Sequence, residues 1–174
     1  FSVGSTPESN NKHIGTRKGL RMDMGIYGKK VVLNSLHGKE PRGLSVNSSL
    51  EEYVDKGLVG LFDGSDDKIK LVMGDFNPNS NEDSNKIKDY VNSKTQAQFY
   101  PEKDRITTKK VRSGYCAQMS KMFKTENSEV SKDIVFYKLP ETVRVRGNSA
   151  VYPEVDTLLT SSWCGDHSSV SITL

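Results

Sequence analysis

The run Leu71-Val72-Met73-Gly74-Asp75-Phe76-Asn77-Pro78 constrains this chain more than any other stretch. Its apolar first half reads as a buried strand, which Gly-Asp-Phe-Asn ends abruptly with a carboxylate and a carboxamide. Side chains alternate across a strand, so Asp75 and Asn77 are expected to face one spot while Phe76 turns back into the core. Three other residues, His37, Asp156 and His167, are the candidates to converge on that spot. Asp, Asn and Pro also make an ordinary strand-to-loop turn, so the functional reading rests on the whole set of residues.

A chain of 174 residues is expected to form a single domain, residues 1–174, large enough to bury a core. Only 34% of its residues are hydrophobic, the composition of a soluble domain, and no apolar run approaches the roughly 18 residues a membrane span needs. The opening segment begins with Phe1 and is polar and rich in Ser and Asn. It lacks the apolar region of a signal peptide, and with Phe1 in place of Met the chain is expected to start partway through a longer product. The net charge of +3 favours an anionic partner weakly. Much of the basic charge lies between Lys103 and Lys124, at Arg105, Lys109, Lys110, Arg112 and Lys121, which a solvated loop would explain equally well. Cys116 and Cys164 are too few for a disulfide framework. Neither their pairing nor the Asn47-Ser48-Ser49 sequon fixes a compartment.

Along the chain, Leu20, Met22, Met24 and Ile26 alternate as in a half-buried strand. Tyr27-Gly28 turns the chain into Val31-Val32-Leu33, so a hairpin is expected, with His37 at the end of its second strand. Leu50, Tyr53, Val54, Leu58, Leu61 and Phe62 recur at helical spacing behind a Ser48 or Ser49 cap, with Glu51 and Glu52 in the first turn. Strand, helix and then the strand Ile69 to Met73 follow α/β crossover logic. A further helix carries Ile87, Tyr90 and Val91, and residues 101–132 read as a long loop on the substrate side with some short helix. Strand character returns at Asp133 to Leu139, Val143 to Arg146, Val155 to Thr160 and Val170 to Leu174. The fold class implied is a mixed α/β (α+β) sandwich, rich in strands toward its C-terminus.

Near that end Asp166-His167 stands just before the last strand, and Asp156 sits among Val155, Leu158 and Leu159. A carboxylate embedded in an apolar strand needs a partner, and His167 at the mouth of the neighbouring strand is the natural one. Such a pairing would fix the imidazole tautomer and raise its basicity.

These motifs in this order carry a resemblance. Gly74-Asp75-Phe76-Asn77, an Asp within a later apolar run and Asp166-His167 before a terminal strand resemble the endonuclease/exonuclease/phosphatase superfamily, with its deoxyribonuclease I-like fold. Asn34-Ser35-Leu36-His37 is similar to its internal histidine motif, and the likeness runs from about residue 18 to the C-terminus. The resemblance implies metal-assisted hydrolysis of a phosphate ester by a phosphodiesterase, nuclease or phosphatase, with Mg2+ (or Mn2+) as cofactor. Asp75 would orient or activate the attacking water, and Asn77 would hold a phosphate oxygen. His167, buttressed by Asp156, would contact the phosphate and move a proton. His37 would be the second imidazole, and Asp166 a metal ligand. The expected partner is a phosphate-ester substrate, nucleic acid being slightly favoured over a phosphoinositide or phospholipid.

The superfamily's early Asn and its Gln-Glu pair, whose glutamate is the principal metal ligand, have no counterpart ahead of His37; Glu8 and Asp23 do not stand in a comparable context. The domain is therefore expected to be incomplete at its N-terminus, the C-terminal part of a larger domain whose N-terminal half another polypeptide could supply. The alternative is a non-catalytic phosphate-binding or scaffold protein that keeps the fold. Two rival chemistries are weaker. Zinc at Cys164, His167, Cys116 and His37 lacks a second close-spaced ligand pair, and a serine triad lacks a Gly-x-Ser-x-Gly elbow.

Overall fold

The computed structural model describes residues 2–5, 18–38, 54–55, 57–110, 128–159 and 165–174. Strands β1 (Ser2–Ser5), β2 (Lys18–Ile26) and β3 (Lys29–His37) open the chain. The predicted hairpin is β2 with β3, paired antiparallel from Lys18↔His37 to Ile26↔Lys29. Tyr27 and Gly28 both adopt positive φ, 48° and 73°, as a two-residue turn matched to the twist of a hairpin requires.

Of the helix predicted from Leu50, residues 54–55 and 57 are helical, and a 3-10 turn follows at Val59–Phe62. Leu50, Tyr53 and the proposed caps lie outside the described residues. Strand β4 (Ile69–Asp75) then runs parallel to β3, the expected crossover. Lys70 is buried in it, and its Nζ donates to the carbonyls of Phe62 at 2.9 Å and Gly64 at 2.8 Å. A cation thereby satisfies backbone acceptors that the 3-10 turn leaves over.

Helix α1 (Asn81–Thr95) starts at Ser80, whose hydroxyl accepts the Asp83 N–H at 3.1 Å, and ends at Gln96 in the left-handed region. Ile87, Lys88 and Val91 form its buried face. The remaining strands are β5 (Gln98–Tyr100), β6 (Thr108–Lys110), β7 (Ser128–Val130), β8 (Asp133–Lys138), β9 (Arg146–Tyr152) and β10 (Ser169–Thr173).

One six-stranded sheet, in the order β1-β2-β3-β4-β8-β5, is the frame, and β9-β10 and β6-β7 form two small ladders. On one face of the sheet, Val72, Phe76 and Phe136 pack against Leu58, Ile87 and Val91, with Phe76 and Phe136 in edge contact at 5.3 Å. On the other face Val31, Ile69 and Leu71 meet Leu33, Met73, Tyr137 and, from β10, Ile172. Helices cover one side and a strand ladder the other, as the predicted α/β sandwich requires.

Two strands are not where the sequence placed them. Residues 143–145 are irregular, and the strand occupies Arg146–Tyr152. Where the pattern of Val155 to Thr160 predicts a strand, Val155–Thr157 forms a 3-10 turn. Leu158 is buried there while Asp156 is exposed, so the apolar flanks anchor a turn and not a sheet.

Candidate active site

Register builds the site. His37 pairs with Asp75 across the parallel β3-β4 ladder, and Asp75 pairs with Asp133 across the antiparallel β4-β8 ladder. Registered neighbours share a face, so three strand ends set an imidazole and two carboxylates in one row. His37 is exposed, with its Nε2 3.9 Å from Asp75 Oδ2, an ion-pair distance longer than a hydrogen bond.

Gly74 permits this close approach. Its φ is 145°, and a Cβ there would stand 1.8 Å from the Leu36 carbonyl oxygen, so only glycine fits. The strand ends at Asp75, and Asn77 follows in the left-handed region with φ 49°. Its convergence with Asp75 therefore comes from a turn, where strict alternation was expected; Phe76 is fully buried in the core as predicted. The Asn77 N–H donates to Asp75 Oδ1 at 2.7 Å, and Asn77 Nδ2 donates to the Gly38 carbonyl at 2.9 Å.

The carboxylate that holds His167 is Asp133, not Asp156. His167 Nδ1 lies 2.9 Å from Asp133 Oδ2, and the Thr108 hydroxyl donates to the same oxygen at 3.1 Å. Asp156 is exposed on its 3-10 turn, so the expected Asp156 buttress is replaced by a residue at the first position of β8. Thr107 ties the pieces together. Its Oγ1 accepts the N–H groups of Lys132 and Asp133, both at 2.9 Å, and its carbonyl accepts the Ser168 N–H at 2.7 Å. An antiparallel bridge pairs Thr108 with His167.

The electrostatics follow from this packing. Burial pushes the Asp75 carboxyl above its ordinary value and the nearby Asp133 charge adds to the rise, opposed by the Asn77 N–H, His167 and Lys132. Burial alone would lower His167, but the Asp133 hydrogen bond and charge, with Asp75 and Asp166, outweigh it and hold the imidazole above 6.5. With Nδ1 turned to Asp133, Nε2 is the ring nitrogen left for a ligand.

Asp166 is half-buried beside His167, and its carbonyl accepts the Lys109 N–H at 2.9 Å. Hard oxygens that suit Mg2+ are present at Asp75 and Asp166, but among the described residues no three His, Cys, Asp or Glu side chains gather into a metal site. Lys109 is paired with Glu129 at 3.3 Å; Arg112, Lys121, Cys116 and Cys164 lie outside the described residues. Sequence reading missed Asp133, Thr108 and Lys132. The signal for Asp133 was its place at the start of an apolar strand, mirroring Asp75 at the end of one.

No protein-family model matches the sequence, and no curated protein matches it. Solved structures do match. A humanized TDP2 of D. rerio with 14 mutations superimposes at a TM-score of 0.62 and 13% identity, over 100% of this chain and 67% of that one. D. rerio TDP2 complexed with a single-strand DNA product gives 0.61 and 16%, over 100% and 68%. An endonuclease/exonuclease/phosphatase family protein from Leptotrichia buccalis gives 0.58 and 14%, over 99% and 61%. The chain has the deoxyribonuclease I-like fold of the endonuclease/exonuclease/phosphatase proteins. It spans about two thirds of the length of the structures it matches.

Proposed function

We propose that this chain carries part of the active site of a phosphate-ester hydrolase, acting on a phosphodiester and preferentially on nucleic acid. The observation that carries the reading is the Asp133–His167 pair at 2.9 Å, set beside a half-buried Asp75 by strand register. A matching structure, D. rerio TDP2, holds a single-strand DNA product, which supports a nucleic-acid substrate over a phosphoinositide or phospholipid.

In this reading His167, held protonated by Asp133, donates from Nε2 to a phosphate oxygen and then to the leaving oxygen. Asp75, with its carboxyl pushed up by burial, accepts the proton of the attacking water. Asn77 binds a phosphate oxygen through Nδ2, and His37 faces the same row from β3. Positioned acid-base groups of this kind contribute about 10²–10⁴-fold each. Dependence on Mg2+ or Mn2+ is part of the proposal, with Asp166 as a ligand. The further ligands would lie on the part of the domain that corresponds to the remaining third of the matched structures, encoded upstream or carried by a second polypeptide. The second reading, a phosphate-binding scaffold without catalysis, is favoured by the lack of a three-ligand metal group among the described residues.

The test is hydrolysis of single-stranded DNA and RNA, a phosphoinositide and sphingomyelin, with Mg2+ and with EDTA, by the chain and its His167→Ala variant. Turnover of a nucleic acid that drops at least ~10²-fold in His167→Ala supports the hydrolase. Phosphate binding without turnover, alone or with the complementing polypeptide, selects the scaffold.

A further inference from the structure

Lys132 stands between Ser131 and Asp133, at the entry to β8, and no motif in the sequence marks it. It is only 8% exposed, and its Nζ lies 3.2 Å from Asn77 Oδ1. On the other side of the same carboxamide, Nδ2 donates to the Gly38 carbonyl. A carboxamide can sit in two orientations of nearly the same shape, related by exchange of its oxygen and nitrogen. Here the exchanged form would set an NH2 against an ammonium and an oxygen against a carbonyl. Both contacts are repulsive, so a cation on one side and an acceptor on the other select one orientation.

The root of the lysine is fixed as well. Its N–H donates to Thr107 Oγ1 at 2.9 Å, and its carbonyl accepts the Phe76 N–H at 2.9 Å. These bonds hold the chain that leaves β4 against the chain that enters β8, and the Lys132 side chain spans the gap between them. Asn77 needs such support because it lies past the end of the strand, in a left-handed conformation with no ladder partner to orient it.

We infer that Lys132 is a positioning residue, whose ammonium locks the Asn77 carboxamide so that its second N–H is presented to a phosphate oxygen. The phosphate half rests on the phosphate-ester reading; the locking of the amide does not. The lysine also sets a positive charge beside two carboxylates, which favours entry of a phosphate anion that those carboxylates would otherwise repel.

The experiment uses the whole chain labelled with 15N, with the Asn77 side-chain NH2 pair assigned by its loss in Asn77→Ser. In the wild type the two NH2 protons are well separated. In Lys132→Met they collapse toward the values of a solvated amide, and Lys132→Arg restores the separation. Inorganic phosphate is then titrated in EDTA. The affinity falls ~10-fold in Lys132→Met, as expected for loss of a charge-assisted hydrogen bond, and in Lys132→Arg it stays within ~3-fold of wild type. Asn77→Ser added to Lys132→Met produces little further loss, because the two residues act as a unit. A Lys132→Met chain that keeps its circular dichroism and an unchanged Asn77 NH2 pair overturns the inference. If that variant does not fold, Lys132→Gln is read by the same criterion. A wild-type chain that binds no phosphate counts against the phosphate-ester reading, while the response of the amide pair still decides the locking role.

Discussion

A methyl group at Gly74 would collide with the Leu36 carbonyl at 1.8 Å, and the obstacle is backbone held in a parallel ladder. Gly74→Ala is therefore expected to lose about 3 kcal/mol or more of stability, measured by urea denaturation. Asp133→Asn tests the imidazole. His167 titrates above 6.5 in the wild type because Asp133 outweighs burial, and without that charge it should titrate lower, read from its ring-proton NMR shifts. A raised folded-state pKa means stability that is fully present below 6.5 and is lost as pH rises through the folded value. Asp133→Asn should remove that fall on the alkaline side. The residues legible in the sequence were those that punctuate a strand, such as Asp75, Asn77 and His167. Asp133 and Lys132 were not, because their roles come from β8 lying against β4, and such a pairing across the sheet has no local signature.

Among the elements, those with strong periodicity were read correctly. The β2-β3 hairpin, the parallel β4 and α1 follow from alternation, apolar runs and 3.6-residue spacing. The Asp156 segment failed because a short apolar run cannot be assigned by periodicity alone, and Leu158 anchors a turn. Ser80→Ala should destabilise the chain by about 1 kcal/mol through loss of the α1 cap, measured by thermal or urea unfolding. Lys88, buried on the inner face of α1, donates to the Glu102 carbonyl at 3.1 Å and to Ser131 Oγ at 3.2 Å. Burial lowers its pKa to about 8, against partial compensation from Asp104 and Glu102. A depressed lysine contributes stability above its ordinary 10.5 and loses it as pH falls through about 8. Stability relative to Lys88→Met should therefore rise between about 8 and 10.5, which denaturation across that range measures directly.

For the molecule as a whole, the fold was legible, while the source of the remaining metal ligands was not. Three short motifs in one order pointed to the deoxyribonuclease I-like sandwich, and structures of that fold superimpose over 99–100% of the chain. The basic stretch between Lys103 and Lys124 is described only as far as Lys110, and Lys109 within it is engaged with Glu129. Any nuclease activity is expected to vanish in EDTA and return with excess Mg2+ or Mn2+, followed by cleavage of a labelled single strand. Among the described residues no helix is long and apolar enough to cross a membrane.

The row His37, Asp75 and Asp133 exists only while β3, β4 and β8 keep their pairing. A slip of one residue in β4 would throw Asp75 to the opposite side of the sheet and leave the other two without their middle member. Catalysis here would thus act as a proofreader of folding. In a refolded sample, turnover per mole would count the molecules whose strands have found their proper partners, and compact but misaligned chains would stay silent.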